Sequence, residues 1–159
     1  FLGQVFMSLN LGSQANGQYF TPYSVSKFMA EINFTEIETI QNNQLITLSE
    51  PCCGSGALII AFAQTLREHN INYQQNLFVE AIDISEMCFK MTYIQLSLLG
   101  IPAKVLLGDT LAMKFKECLY TPFYYLSSID WKLKRQKQKN EFKISSIEQG
   151  KTVQLSLFN

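Results

Sequence analysis

The chain has 159 residues, of which 47% are hydrophobic, and its 13 basic and 13 acidic side chains give a formal net charge of zero. This length and apolar content predict one domain with a packed core and exclude an intrinsically disordered chain. No apolar run approaches the roughly 20 residues that span a bilayer, and no signal-peptide pattern is visible. The four cysteines show no C-x-x-C spacing, which without a secretion signal predicts reduced thiols in a cytoplasmic protein.

Two helices are predicted before the first strand. Residues 1–16 begin apolar and become polar, which is typical of the end of a helix that leads into a loop. Thr21 and Pro22 predict the start of a second helix, with threonine at the cap and proline in the first turn. Apolar residues then recur at helical spacing and predict one apolar face, formed by Val25, Phe28, Met29 and Ile32.

The middle of the chain alternates short apolar runs with helical patterns. Residues 45–48, 77–82 and 105–107 are predicted strands, and residues 57–68 are a predicted helix. The helix before the third strand has apolar residues on one face, namely Met87, Met91, Ile94 and Leu98. This order predicts an α/β fold with a parallel sheet of about three strands and flanking helices. No fourth strand is predicted after Asp109, so the sheet is expected to be incomplete.

Glycines and acids follow the predicted strands. Residues 50–56 (EPCCGSG) form a glycine-bearing turn after the first strand, Asp83 ends the second, and Asp109 follows Gly108 at the end of the third. Glycines let a backbone pass close to a ligand. Since parallel strands end at one edge of a sheet, these residues predict a nucleoside cofactor site there.

Four segments together resemble the adenine-N6 DNA methylases, in particular the modification-subunit family of restriction–modification systems. They are the lead-in with the first cofactor motif at residues 2–7 (LGQVFM) and 17–22 (GQYFTP), the turn at 50–58 (EPCCGSGAL), the ribose-binding strand end at 81–85 (AIDIS) and residues 108–111 (GDTL). The match covers roughly residues 1–111, and Glu50 replaces the family's usual aspartate. The resemblance implies a Rossmann-like methyltransferase fold with S-adenosylmethionine as the cofactor.

The resemblance also implies roles for individual residues. Glu50 is expected to accept a hydrogen bond from the cofactor's ammonium group. Asp83 is expected to accept hydrogen bonds from both ribose hydroxyls, and Asp109 is expected to accept one from the adenine amino group. Alternative roles are core packing for Phe20, a helix cap for Asp83 and a turn residue for Asp109. The expected cofactor-binding residues are Tyr19, Phe20, Thr21, Glu50, Pro51, Gly54, Ser55, Gly56, Asp83, Ile84 and Asp109.

A catalytic motif of the family is missing. Adenine-N6 methylases carry an Asn/Asp-Pro-Pro-Tyr/Phe quartet that holds the flipped base and its amino group. The nearest string, residues 120–123 (YTPF), lacks the polar first residue and one proline. We therefore predict no catalytic residue and no metal site. The predicted function is that of a catalytically degenerate binding protein that is DNA-associated or regulatory. The alternative is an active site-specific DNA adenine-N6 methyltransferase whose quartet comes from another chain or a missing segment.

Charge is distributed unevenly along the chain. Residues 1–130 carry 6 basic and 11 acidic residues, whereas residues 131–159 carry 7 and 2. We predict a methyltransferase-like domain at residues 1–125 and a basic tail at 126–159. The tail's cations, concentrated between Lys132 and Lys143, predict contacts with DNA phosphates; a solvated tail is the alternative.

The end of the tail carries a separate short motif. Residues 154–158 (QLSLF) resemble the pentapeptide with which bacterial replication and repair proteins bind the DNA-polymerase sliding clamp. The resemblance implies that Gln154, Leu155, Leu157 and Phe158 contact that partner. A terminal strand, or a disordered tail with a chance similarity, is the alternative.

Overall fold

A computed structural model of the chain describes residues 2–9, 20–35 and 44–138. The chain divides into two compact units, Phe1–Ile129 and Asp130–Asn159. The first unit contains helices α1 (Leu2–Ser8), α2 (Tyr23–Thr35), α3 (Ala57–Glu68), α4 (Tyr73–Asn76), α5 (Glu86–Leu98) and α6 (Pro122–Leu126), and strands β1 (Ile46–Glu50), β2 (Leu77–Asp83), β3 (Ala103–Asp109) and β4 (Lys114–Tyr120). No helix among the described residues is both long and apolar enough to cross a membrane.

One four-stranded sheet, in the order β1-β2-β3-β4, organises the first unit. The three predicted strands are parallel, with Leu48 opposite Val79 and Val79 opposite Ala103. Helices α3 and α5 connect them, as the alternating pattern predicts. The carboxyl ends of β1, β2 and β3 therefore share one edge of the sheet.

Strand β4 was not predicted, and it pairs antiparallel with β3. Its first six residues are exposed, so its sequence needs no apolar alternation and carries no strand signal. A tight turn, with Met113 at a φ of 52°, connects β3 to β4. Because a hairpin replaces a crossover here, the parallel part of the sheet ends with β3.

The core lies on the face of the sheet that α3 and α5 cover. Side chains at alternate positions of β2 and β3 point to this face. They pack with apolar residues of α3 in one cluster, which includes Val79, Ala81, Val105, Ile59, Phe62 and Leu66. All six are at most 2% exposed.

The apolar faces predicted for α2 and α5 are largely exposed. In α2, Val25 and Phe28 are 45% and 66% exposed, whereas Ser26 and Ala30 on the opposite side are buried. The reason is that α2 packs on a polar stripe of α3, where the Lys27 ammonium bonds Thr65 and Glu68. In α5, Met91 is buried while three residues are exposed: Met87, Ile94 and Leu98.

The described part of the second unit is helical up to residue 138. Lys134 forms an ion pair with Asp130 at 2.7 Å, and the guanidinium of Arg135 lies 5.2 Å from the centre of the Trp131 ring. Residues 139–159 lie outside the described residues, and so do the predicted clamp contacts Gln154, Leu155, Leu157 and Phe158. The predicted boundary at residue 125 stays a prediction.

Candidate cofactor site

The glycine turn follows β1 directly and leads into α3. Gly54 and Gly56 have φ values of 54° and 83°, a region that residues with a Cβ rarely occupy. The N–H of Cys53 donates to the carbonyl of Ile82 at 2.9 Å, which ties the turn to β2. The turn therefore lies at the carboxyl edge of the parallel strands, where the sequence predicts it.

Asp83 lies beside the glycine turn. One of its carboxylate oxygens accepts the N–H of Gly54 at 2.8 Å, and the other accepts the N–H of Ser85 at 2.8 Å. Each oxygen of a carboxylate can accept more than one hydrogen bond. The carboxylate therefore fixes the turn and still has capacity to accept two ligand hydroxyls.

Two cavities adjoin the turn, and Phe20 lines both. One of about 220 Å³ lies against β1 and is lined by Glu50, Cys52, Cys53, Gly54, Ser55 and residues of α2 and α3. The other, of about 550 Å³, extends between α1, α3 and α5. The Phe20 ring meets that of Phe6 edge to face, with centroids 5.8 Å apart. Phe20 thus both packs and faces the site, so its two proposed roles are compatible.

Glu50 provides a carboxylate at the wall of the smaller cavity. Burial raises the pKa of Glu50, the N–H of Cys52 lowers it by donating to the carboxylate at 3.3 Å, and the charge of Asp83 raises it. The net direction is upward. A half-buried carboxylate with one weak donor would be stabilised by a ligand that brings a positive charge.

Asp109 ends β3 and organises the turn that follows. One of its carboxylate oxygens accepts the N–H groups of Leu111 and Ala112 at 2.9 and 3.0 Å, which is the turn role considered from the sequence. The next residue, Thr110, donates its hydroxyl to the carbonyl of Pro51 at 2.7 Å. This bond joins the end of β3 to the glycine turn across the sheet edge.

The structure brings most of the predicted site residues together, but not all of them. Thr21 lines both cavities, and Ser55 and Gly56 are buried in the turn. Asp83 and Asp109 lie at the adjoining strand ends and do not line either cavity. Ile84 is 73% exposed, which leaves it free to contact a ligand. Tyr19 lies outside the described residues.

Two residues of α5 that hold the turn were not predicted from the sequence. The hydroxyl of Thr92 donates to the carbonyl of Gly54 at 2.9 Å. The side-chain amide of Gln95 donates to the carbonyl of Ser55 and accepts the N–H of Leu2 at 3.0 Å. Both side chains are buried. Two polar residues three positions apart in a predicted helix are a signal that could have identified this buried polar face.

The string at residues 120–123 lies far from this site in the fold. Thr121 is fully buried, and its hydroxyl donates to the carbonyl of Ile101 at 2.8 Å while accepting the N–H of Ala103 at 2.9 Å. Since Ala103 begins β3, these bonds place Thr121 at the edge of the sheet opposite the glycine turn. Thr121 therefore closes a turn there, and the string cannot reach a ligand at the glycine turn.

The model of the N-6 DNA Methylase family matches residues 6–156, which is most of the chain and includes every predicted cofactor-binding residue. The chain belongs to the N-6 DNA methylase family. No curated protein matches it.

Solved structures resemble this family member in fold. A protein described as a class I S-adenosylmethionine-dependent methyltransferase from Listeria monocytogenes has a TM-score of 0.55 and 18% identity, over 69% of this chain and 32% of that one. The methyltransferase subunit of a type I restriction–modification system from Streptococcus thermophilus has a TM-score of 0.47 and 23% identity, over 58% and 19%. The chain thus spans less than a third of the length of each of these two proteins. The predicted methyltransferase fold is confirmed by the Listeria protein.

Proposed function

We propose that this N-6 DNA methylase family member binds S-adenosylmethionine at the glycine turn and does not transfer the methyl group by itself. The observation that carries the proposal is the contact between Gly54 and Asp83. It joins a glycine turn and a strand-end carboxylate at one sheet edge, as a nucleoside cofactor requires.

The residues present fit the ammonium group and the ribose hydroxyls of this cofactor. S-adenosylmethionine has an ammonium and a carboxylate at one end and two ribose hydroxyls near the other. Glu50, whose pKa is raised by burial, would gain a counter-charge from the ammonium. Asp83 would accept hydrogen bonds from the ribose hydroxyls, because its bonds to two backbone N–H groups leave lone pairs available on both carboxylate oxygens. When bound, the cofactor supplies an electrophilic methyl group on sulfur.

The proposed lack of transfer rests on the missing quartet. For transfer, the adenine amino nitrogen would have to be held in line with the methyl group that the bound cofactor would supply, ready for an in-line attack. Hydrogen-bond acceptors must hold the amino group in line for this attack. Among the described residues, the string nearest to the quartet contains Thr121, which lies at the edge of the sheet opposite the glycine turn. The hydroxyl of Thr121 already has hydrogen-bond partners there. In this proposal the chain acts as a DNA-associated or regulatory binding protein.

The alternative function is DNA adenine-N6 methylation with the quartet supplied by another chain or by a further segment. The family membership and the cofactor turn favour this alternative, since both are shared with active members. The two functions differ in whether methylated DNA is formed. They share the same cofactor site, so the contacts of Glu50 and Asp83 do not distinguish them.

The discriminating experiment is methyl transfer from labelled S-adenosylmethionine to unmethylated DNA. We expect the pure chain to bind the cofactor in calorimetry and to leave the DNA unlabelled. An Asp83→Ala variant is the matched control for any background label. Labelling by the pure chain that this variant loses would reject the proposed lack of transfer and establish the alternative.

DNA contact by the basic tail is part of the same proposal. Lys132, Lys134, Arg135 and Lys137 lie on consecutive turns of the helical segment, and Lys134 is already paired with Asp130. Phosphate contacts by such residues release counterions, so binding should weaken steeply as salt concentration rises.

A further inference from the structure

Helix α1 lies directly on the glycine turn. The backbone N–H of Leu2 donates to the side-chain oxygen of Gln95 at 3.0 Å, and the side-chain amide of Gln95 donates to the carbonyl of Ser55. Gly3 of α1 is buried, and a Cβ at this position would lie 2.9 Å from the Cβ of Ser55. Since that distance is shorter than real Cβ contacts, the backbone of α1 touches the turn at a place where only glycine fits.

Gln95 suits this place because its amide carries both a donor and an acceptor. The N–H of Leu2 can only donate and the carbonyl of Ser55 can only accept, so the two bonds fix which way the amide points. Gln95 is 7% exposed, and buried groups of this kind need partners within the protein. The side chain therefore joins α1, α5 and the turn after β1 at one point.

Helix α1 depends on such contacts for its helical state. It has 7 residues, and isolated helices shorter than about 12–15 residues are marginal in water. Besides the bond to Gln95, α1 contributes the ring of Phe6, which meets that of Phe20 edge to face. A ligand that strengthens the contact between α1 and the turn should therefore stabilise α1.

The larger of the two cavities lies at this contact. Its volume is about 550 Å³, and its walls include Gly3, Gln4 and Met7 of α1 together with Ser55 and Gln95. The smaller cavity, of about 220 Å³, falls below the roughly 300–1,000 Å³ that is typical of ligand sites, whereas the larger one falls within that range. A nucleoside cofactor at the turn therefore needs part of the space that α1 encloses.

We propose that α1 is a wall of the cofactor site and that Gln95 is the residue that positions this wall. The role of α1 rests on the proposed binding of S-adenosylmethionine at the glycine turn and adds a second element to that site. A ligand that contacts both α1 and the turn makes local opening of α1 less frequent. Gln95 is a positioning residue, because it acts through its bonds to α1 and to the turn.

Hydrogen–deuterium exchange of the full chain, with and without saturating S-adenosylmethionine, tests the proposal. Calorimetry gives the dissociation constant for the same samples. In the wild type we expect the cofactor to slow exchange in α1 as well as in the glycine turn. Gln95→Met keeps the length of the side chain and removes both hydrogen bonds. It should raise the dissociation constant by about tenfold and abolish the protection of α1 by the cofactor.

Gly3→Ala tests the wall without changing Gln95 or the turn. The added methyl group should displace α1 from Ser55, so the same two losses are expected. Ser8→Ala is the matched control in α1, because the hydroxyl of Ser8 donates within the helix, to the carbonyl of Val5 at 2.8 Å. This control should match the wild type. Melting temperatures show whether each variant folds, and Gly3→Ala still decides the case if Gln95→Met does not fold.

Protection of the turn but not of α1 in the wild type would overturn this proposal and leave cofactor binding at the turn intact. So would wild-type affinity in both variants. A lower melting temperature of Gln95→Met with unchanged protection of α1 by the cofactor would show that Gln95 only stabilises the fold, which also rejects its positioning role. A wild type that does not bind the cofactor would reject the proposed function and the wall together.

Discussion

The carboxylate of Asp83 accepts the backbone N–H of Gly54 at 2.8 Å, although 29 positions separate the two residues in the chain. The bond joins the end of β2 to the turn after β1. A ligand that reaches across this edge therefore meets a glycine backbone and a carboxylate that are already fixed relative to each other, which lowers the entropic cost of binding.

Replacing Asp83 tests this arrangement. Asp83→Ala should remove the acceptors of two ribose hydroxyls and leave the N–H groups of Gly54 and Ser85 without their partner. Hydrogen bonds to a charged group contribute roughly 1.5–3 kcal/mol, so the dissociation constant for S-adenosylmethionine should rise by about 10- to 100-fold. The control is Glu80→Ala, since Glu80 is also on β2 but pairs with Lys104. An unchanged constant for Asp83→Ala would place the cofactor site elsewhere.

Glu50→Gln should stabilise the free protein at neutral pH. Folding raises the pKa of Glu50, mainly through burial, so the ionised carboxylate destabilises the folded state above that pKa. This cost disappears as the pH falls below the ordinary value of 4.5. The melting temperature of the variant should exceed that of the wild type at pH 8, and the difference should vanish under acid conditions.

The control is Glu86, whose pKa is shifted in the opposite direction to that of Glu50. The Lys90 ammonium lowers the pKa of Glu86 by a hydrogen bond, so Glu86→Gln should not stabilise the protein at pH 8. An equal rise for both variants would mean that burial of Glu50 is not the cause. Cofactor affinity should fall in Glu50→Gln, because a neutral amide attracts an ammonium group less strongly.

Cysteine alkylation gives a test with an internal control. Cys52 and Cys118 are exposed, whereas Cys53 and Cys88 are buried. Burial raises the pKa of Cys53 to about 12, so its thiol stays protonated and unreactive. Iodoacetamide should therefore modify Cys52 and Cys118 in the native protein, as peptide mass spectrometry would show.

S-adenosylmethionine should protect only one of the two reactive thiols. Cys52 lines the smaller cavity, and Cys118 lies on β4. The cofactor should slow alkylation of Cys52 several-fold and leave that of Cys118 unaffected. Equal rates at Cys52 with and without the cofactor would argue against a ligand in that cavity.

The terminal peptide is tested with a purified sliding clamp. Deleting residues 154–159 should abolish co-purification with the clamp and leave the melting temperature unchanged. Phe158→Ala should have the same effect as the deletion because it removes an apolar anchor, whereas Asn159→Ala should have none. Equal retention of the wild-type and deleted chains would reject this partner.

Much of the site could be predicted because its signals are local. Glycines, a strand-end acid and a helix start occupy adjacent positions in residues 50–57, and the structure begins α3 at Ala57. Asp83 and Asp109 likewise end the apolar runs that become β2 and β3. These turn and strand-end signals depend on backbone conformation and not on contacts between residues that are distant in the sequence.

The features that were missed depend on tertiary contacts. The roles of Thr92 and Gln95 arise only when α5 packs against the turn. The outward orientation of the apolar face of α2 depends on the polar stripe of α3, and β4 forms because it extends the edge of β3. The spacing of residues within each of these segments does not decide the outcome, because it depends on the neighbouring element.

Cofactor binding at the glycine turn is tested most directly by titrating the isotope-labelled chain with S-adenosylmethionine and following its backbone amide resonances. We expect saturable shifts at Gly54, Ser55 and Gly56, with no change at Gly100, which precedes β3 at the opposite edge of the sheet. Unchanged resonances in the glycine turn, or larger shifts at Gly100 than at Gly54, would contradict it.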